Sequence, residues 1–287
     1  MASITDMRKR FFQIRETLDT KEYGKKLKRN DPDALDLLNE LYGVQKKIND
    51  TIGDMYKTSS YTEMVKEELL CYLRKLEESK HEIDGMIDSK LAEVSHWKYA
   101  TGEYFHPVPY WAEIKKFKRG RILKNIAENE RFNKKYVNSY GYNESNQLIV
   151  EQCSTTDDYK WYGVSTRIYT HNLDKGWDSY NVTNWKLQQD REYPSNFCAV
   201  NIYKSLDDGT WLFAGLNSNK VDMSSIHYIY DGSYNIKHVV SGGVRSSGSH
   251  WDIYDFIYGQ EGQLEKIMIY DSIWWENTKN PKSKRIK

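Results

Sequence analysis

Three cysteines, Cys71, Cys153 and Cys198, are all that 287 residues contain, and none stands in a CxxC or Cys/His spacing. So odd and sparse a set argues against a disulfide framework and against zinc, and it fits a reducing, cytoplasmic compartment. Long apolar runs are also missing. Nothing approaches the roughly 18 residues that mark a bilayer-spanning helix, and the opening "MASITDMRKRFF" lacks the apolar stretch of a signal peptide. No membrane partner is expected. Net charge is nearly absent as well: 42 Lys and Arg against 41 Asp and Glu leave +1. Nothing global draws the chain to nucleic acid. None of the seven histidines forms HxH or HExxH, and no nucleophile–base pair is evident, so no cofactor, metal or catalytic residue is assigned.

Aromatic residues are plentiful. Twenty-three Tyr and nine Trp supply apolar area, and they suit half-exposed sheet faces because each ring carries a polar handle. Their distribution divides the chain, since seven of the nine Trp follow residue 150 while the first hundred residues are rich in Leu, Lys and Glu.

The expected class is α+β, with an N-terminal helical part, 1–103, a connector, 104–136, and an antiparallel β part, 137–287. One helix is expected over 4–28 from Met7, Phe11, Ile14 and Leu18. A second starts at Asp31-Pro32, a cap followed by a proline suited to the first helical position. A third starts at Ser60 and Glu63, an S-x-x-E capping box. The stripes Leu41–Ile48 and Leu69–Leu76 predict that helices two and three form an antiparallel hairpin. Burial within the chain is the simpler use of these stripes, and a homodimer through the N-terminal helices is the alternative. "YFHPVPYWAEI", 104–114, reads as an extended, packed connector. The stretch 114–135 that follows holds nine Lys or Arg against two Glu. It reads as a solvated or internally paired face, with an acidic protein partner as the sharper alternative and nucleic acid behind it. "SGGVRSSGSH", 241–250, reads as a hairpin loop, or as an anion cradle around Arg245, and it lacks the Lys-Ser/Thr ending of a P-loop.

One pattern recurs. "SYGYNESNQLIV", "HYIYDGSYNIKHVV" and "DFIYGQEGQLEKI" place Tyr140, Tyr228 and Phe256 at one position, Tyr142, Tyr230 and Tyr258 two residues later, and Leu148, Ile236 and Leu264 six residues after those. Residues i and i+2 of a strand share a face, so each copy predicts a hairpin with stacked aromatics crossed by a returning aliphatic. "NIYKSLDDGTWLF", 201–213, is a looser fourth copy, read with a longer turn. The pattern resembles the YD-repeat hairpins of RHS-type proteins. Tyr230-Asp231 carries the dipeptide, while Tyr142-Asn143 and Tyr258-Gly259 depart from it. Short sets of such hairpins are similar in style to those of bacterial toxin-immunity proteins. That resemblance implies scaffold hairpins and a protein partner, a toxin whose site is occluded.

A partner surface is expected between the strand-like stretches, where "HNLDKGWDSYNVTNW" has the Gly, Asn and Asp content of a loop. Trp177, Asp178, Tyr180, Trp185, Asp190 and Arg191 are the candidate contact residues, aromatic anchors with charged neighbours. Two other classes stay open: a toxin, effector or enzyme whose site is assembled from scattered residues, and a carbohydrate-binding module stacking sugars on this Trp-rich segment.

Overall fold

The computed structural model describes residues 3–102, 104–124, 137–156, 161–172, 176–187, 196–245, 248–270 and 272–278. Helices come first: α1 (Ile4–Leu18), α2 (Lys21–Lys28), α3 (Pro32–Met55), α4 (Thr58–Glu78) and α5 (Ile83–Ala92), the last two separated by a 3-10 turn at Lys80–Glu82. The strand β1 (His96–Thr101) precedes the short α6 (Trp111–Lys115) and β2 (Ile122–Leu123). Eleven more strands follow: β3 (Val137–Tyr142), β4 (Leu148–Thr156), β5 (Trp161–Asn172), β6 (Gly176–Leu187), β7 (Asn196–Ser205), β8 (Trp211–Asn217), β9 (Met223–Tyr230), β10 (Ile236–Arg245), β11 (Gly248–Tyr258), β12 (Leu264–Ile269) and β13 (Ser272–Glu276). No helix among the described residues is long and apolar enough to cross a membrane.

Local chemistry explains most boundaries. Asp31 caps α3, its carboxylate accepting from the Asp33 amide at 3.1 Å, with Pro32 at the first helical position as expected. The single helix expected over 4–28 is two, because Thr20 turns out of the α1 path and caps α2. The Ser60–Glu63 capping box does not form. Only Tyr56 and Lys57 separate α3 from α4, so Ser60 already lies inside the first turn of α4. A capping box exists instead at Ser3 and Asp6, where the Asp6 amide donates to the Ser3 hydroxyl at 3.1 Å and the Ser3 amide to the Asp6 carboxylate at 3.3 Å.

All the strand pairings are antiparallel, and β3 to β13 lie side by side in sequence order, with β1 and β2 added beyond β3. The repeated motif sets the registers. Tyr142 faces Leu148, Tyr230 faces Ile236 and Tyr258 faces Leu264, each beside a bulge. The three turns carry one bonding scheme, shown by Asn143 N to Gln147 O, Asp231 N to Asn235 O and Gly259 N to Gln263 O. The fourth copy has the same scheme, Leu206 N to Thr210 O, so its turn is not longer. It differs by carrying Trp211 where the others carry an aliphatic. The residue before the last of each turn is left-handed: Asn146, Gly209, Tyr234 and Gly262.

Both faces of the sheet are covered. On the outer face, Leu69, Leu73 and Leu76 of α4 and Ile83 and Ile87 of α5 pack on Val150, Ile168, Val200, Leu212 and Leu216. Ile48 and Ile52 of α3 pack with Val240 and Trp251. Ile48 of α3 and Leu69 and Leu76 of α4, expected to meet between the two helices, therefore pack in separate clusters against the sheet. Helix-to-helix contact is most extensive between α1 and α3, tied by Arg10 and Glu40 at 2.7 Å, and lighter between α3 and α4. Strand β12 pairs with β11 only from Tyr254 onward, and Asn49 covers part of the edge left free, donating to Ser249 O at 2.6 Å and accepting from Trp251 N at 3.3 Å.

The inner face holds the connector. Phe105 lies against Tyr140 of β3 at 5.1 Å between ring centres, and Tyr110 against Phe256 of β11 at 5.3 Å. In a flat sheet, strands β3 and β11 would stand about 38 Å apart, while the five-residue step from Phe105 to Tyr110 reaches about 18 Å at most. The sheet therefore curls around 104–115. The Tyr104 amide donates to the Tyr140 hydroxyl of β3 at 3.0 Å, Tyr228 of β9 donates to Pro109 O at 2.9 Å, and the Trp274 indole of β13 donates to Ile114 O at 3.0 Å, so the segment is fixed along the curl from β3 to β13.

Candidate functional site

The inner face of the curl changes character along the strands. One row across it is aromatic and apolar, with Trp177 opposite Tyr203, Tyr203 opposite Phe213, and Phe213 opposite Ile226. Two residues further along each strand the same face is small and polar: Ser179 opposite Asn201, then Gly215, Ser224, Gly243 and His250 in turn. The glycines are there for room. A Cβ on Gly215 would sit 2.6 Å from the Asn201 amide oxygen, and one on Gly243 would run into the Met223 carbonyl. On β4 to β6 the polar part is tied up internally: Arg167 bonds Glu151 at 3.1 Å and Asn181 at 2.8 Å, and the Tyr169 hydroxyl donates to Glu151 at 3.1 Å.

On β8 to β11 the small residues leave a cavity of about 1070 Å³. Gly215, Asn217, Ser224, Ser241 and Gly243 line it, with Tyr42, Lys46, Asn49 and Asp50 of α3 at its side and Lys115, Asp222, Arg245, His250 and Asp252 contributing charge of both signs. Lys115 ends α6 and is half-buried; burial alone pulls its ammonium below the usual lysine range. No ion pair engages Lys115 or Arg245 among the described residues. His250 is bonded through Nε2 to Asp252 at 3.0 Å, which raises its pKa, and Arg8 holds the other Asp252 oxygen at 2.6 Å. Lys46 is paired with Asp50 at 2.6 Å. The cavity thus presents two cations outside any described ion pair, Arg245 and Lys115, the latter 5.3 Å from the Trp111 ring centre, together with the Asp222 carboxylate and a His–Asp pair. Two stretches that look unrelated in sequence, the start of the basic run and the Gly/Ser-rich segment, line one space. The latter is not a loop, since β10 runs to Arg245 and β11 resumes at Gly248.

The expected loop around Trp177–Arg191 is corrected. Residues 176–187 form β6, paired along its length with β5. Trp177 is 6% exposed on the inner face, among Tyr169, Tyr203 and Phe213, and its indole N–H has no hydrogen-bond partner among the described residues. Tyr180 is 5% exposed on the outer face against Tyr72 of α4. Neither is an exposed anchor. Asp178 is half-buried, and burial, with the Glu68 charge second, holds its carboxyl above the usual range. Trp185 stands in β6 opposite Gly163, and Asp190 and Arg191 lie outside the described residues.

Two further histidines, His227 buried and His106 half-buried, have no role in the cavity. His227, fully buried, accepts at Nδ1 from Thr58 at 2.9 Å and donates from Nε2 to Thr210 at 2.7 Å; burial pushes its pKa down to about 4. His106 stacks on Trp111 at 4.4 Å, and burial with the Arg167 charge pushes it to about 3. Among the described residues no group of three His, Cys, Asp or Glu side chains could hold a metal ion. No family model, no curated protein and no solved structure matches the chain.

Proposed function

We propose that the chain is a protein-binding protein of the immunity type, which neutralises a toxin by seating an acidic segment of it in the cavity between α3 and β8–β11. The observation that carries this reading is the pair of cations, Lys115 and Arg245, lining a space of about 1070 Å³ with no ion-pair partner among the described residues. Lys115 is kept partly out of water without a carboxylate, which costs stability that an incoming carboxylate would relieve, while the exposed Arg245 offers a second charge at the mouth. The hairpins' likeness to those of toxin-immunity proteins selects the partner class. The test is a differential capture from host lysate with wild type, Arg245→Glu and, as a control on α2, Lys21→Glu. The expected result is a partner held by wild type and the control and lost with Arg245→Glu; expression of that partner alone arrests growth, and wild type and the control rescue it while Arg245→Glu does not. A partner held equally by all three removes the cavity from the interaction.

His250 favours a second reading. Asp252 orients its ring and Arg8 orients Asp252, the arrangement of a general base and its support. If the chain is a hydrolase, His250→Asn abolishes turnover while partner capture persists.

A further inference from the structure

At the opposite end of the sheet from this cavity, the β7–β8 and β9–β10 turns stand side by side. Between them lies a pocket of about 500 Å³ walled by Tyr203, Trp211, Tyr230 and Tyr234, with Asp208 in one turn and Asp231 in the other. The rings are held in place. Tyr203 and Trp211 lie 4.9 Å apart between centres, and Tyr203 stands edge-on to Tyr228 at 6.1 Å. Both carboxylates are kept ionised by donors. Asp208 accepts from Tyr61 at 2.8 Å and from the Thr210 hydroxyl and amide, and Asp231 Oδ1 accepts from the Ser233 and Asn235 amides at 2.8 and 3.0 Å. No ion pair engages either carboxylate among the described residues; Lys237 touches Asp231 only through its field.

Four aromatic side chains line the pocket, rings whose faces attract cations through their quadrupoles, and the two carboxylates add full negative charge. Sugar would use the rings but leave two charges uncompensated. A hard metal ion would use the carboxylates but not the rings. We infer that this pocket binds an organic cationic head group, an alkylammonium or a guanidinium. Tyr234 supports the assignment. It is 90% exposed and sits at φ 63°, in the left-handed position that Gly209, Gly262 and Asn146 occupy in the other copies. A large ring there costs backbone energy and gains no core contact, which is the mark of a residue kept for binding.

The test is an NMR titration of the full chain, following the Trp211 indole N–H, with arginine amide and with tetramethylammonium chloride against sodium chloride at equal ionic strength. Both organic cations should give saturable shifts. Binding should weaken roughly fivefold in Asp231→Asn, which keeps the turn acceptor, and in Tyr234→Ala. Lys21→Ala, on α2, should leave it unchanged. An arginine peptide binding more tightly than arginine amide places the head group on a protein; equal affinity places it on a small molecule, and either supports the site. Shifts no larger than those of sodium chloride overturn the inference, as do shifts unaltered in both pocket variants. A neutral oligosaccharide that saturates the signal where the cations do not reassigns the pocket to sugar.

Discussion

Lys115 and His227 show how single residues here trade stability for state. Lys115 is a cation whose pKa is lowered by burial, with no ion-pair partner among the described residues. Lys115→Met keeps the stem and removes the charge, so it should stabilise the fold by about 1 kcal/mol in a urea melt while weakening capture of an acidic partner. A destabilised variant would mean that the ammonium is satisfied. His227 makes the opposite case, a ring held neutral. An unfolded histidine titrates near 6.5 and this one near 4. Between those values the unfolded chain takes up a proton that the native chain refuses, so the contribution of His227 is complete above pH 6.5 and drains as pH falls toward 4. From pH 7 to pH 5 that amounts to about 2 kcal/mol. His106, held near 3, acts in the same sense. The slope of urea midpoint against pH should therefore be shallower in His227→Gln than in wild type; an identical slope would refute this account.

Among the elements, the hairpin was the most legible in sequence, because a fixed turn of fixed bonding forces a fixed spacing, and the spacing from Tyr142 to Leu148 recurs from Tyr230 to Ile236 and from Tyr258 to Leu264. The left-handed position in that turn explains a second expectation. Tyr234→Gly should raise stability by about 1 kcal/mol in a denaturant melt, since glycine adopts positive φ without a Cβ clash; unchanged stability would mean that the ring makes a compensating contact. Helix stripes were legible as faces but not as interfaces. Leu69 is 1% exposed, and the periodicity marked it as buried without saying that the sheet, not α3, covers it. Leu69→Ala should cost about 3 kcal/mol, and a companion Leu212→Ala should be non-additive with it, because both line one cluster. Strand β6 was missed for a physical reason. Its inner face carries Ser179 and Asn181 beside Trp177, and polar residues turned toward a polar interior imitate a solvated loop.

For the whole molecule, one chain segment decides the architecture. The helices share their cores with the strands, and the connector is enclosed by the curl. Helical circular dichroism and tryptophan emission should therefore melt in one coincident transition. Two separated transitions would show that helices and sheet hold together independently. Neither cavity could be read from the sequence, because Lys115 and Arg245, or Asp208 and Asp231, meet only after the strands are laid side by side.

The enclosed connector also has a consequence for time. From β3 onward each strand pairs with the one just before it in sequence, so the wall can grow strand by strand as it emerges. What the wall encloses is made earlier: Phe105, Tyr110 and Trp111 leave the ribosome before Phe213, Tyr228 and Phe256, their neighbours in the finished interior. At about 5–20 residues per second the filling waits on the order of ten seconds for the last of its container. During that interval a nascent chain displays an aromatic peptide that only its own future strands can cover, so the stretch 104–111 is where a chaperone that reads aromatic segments would meet this protein first.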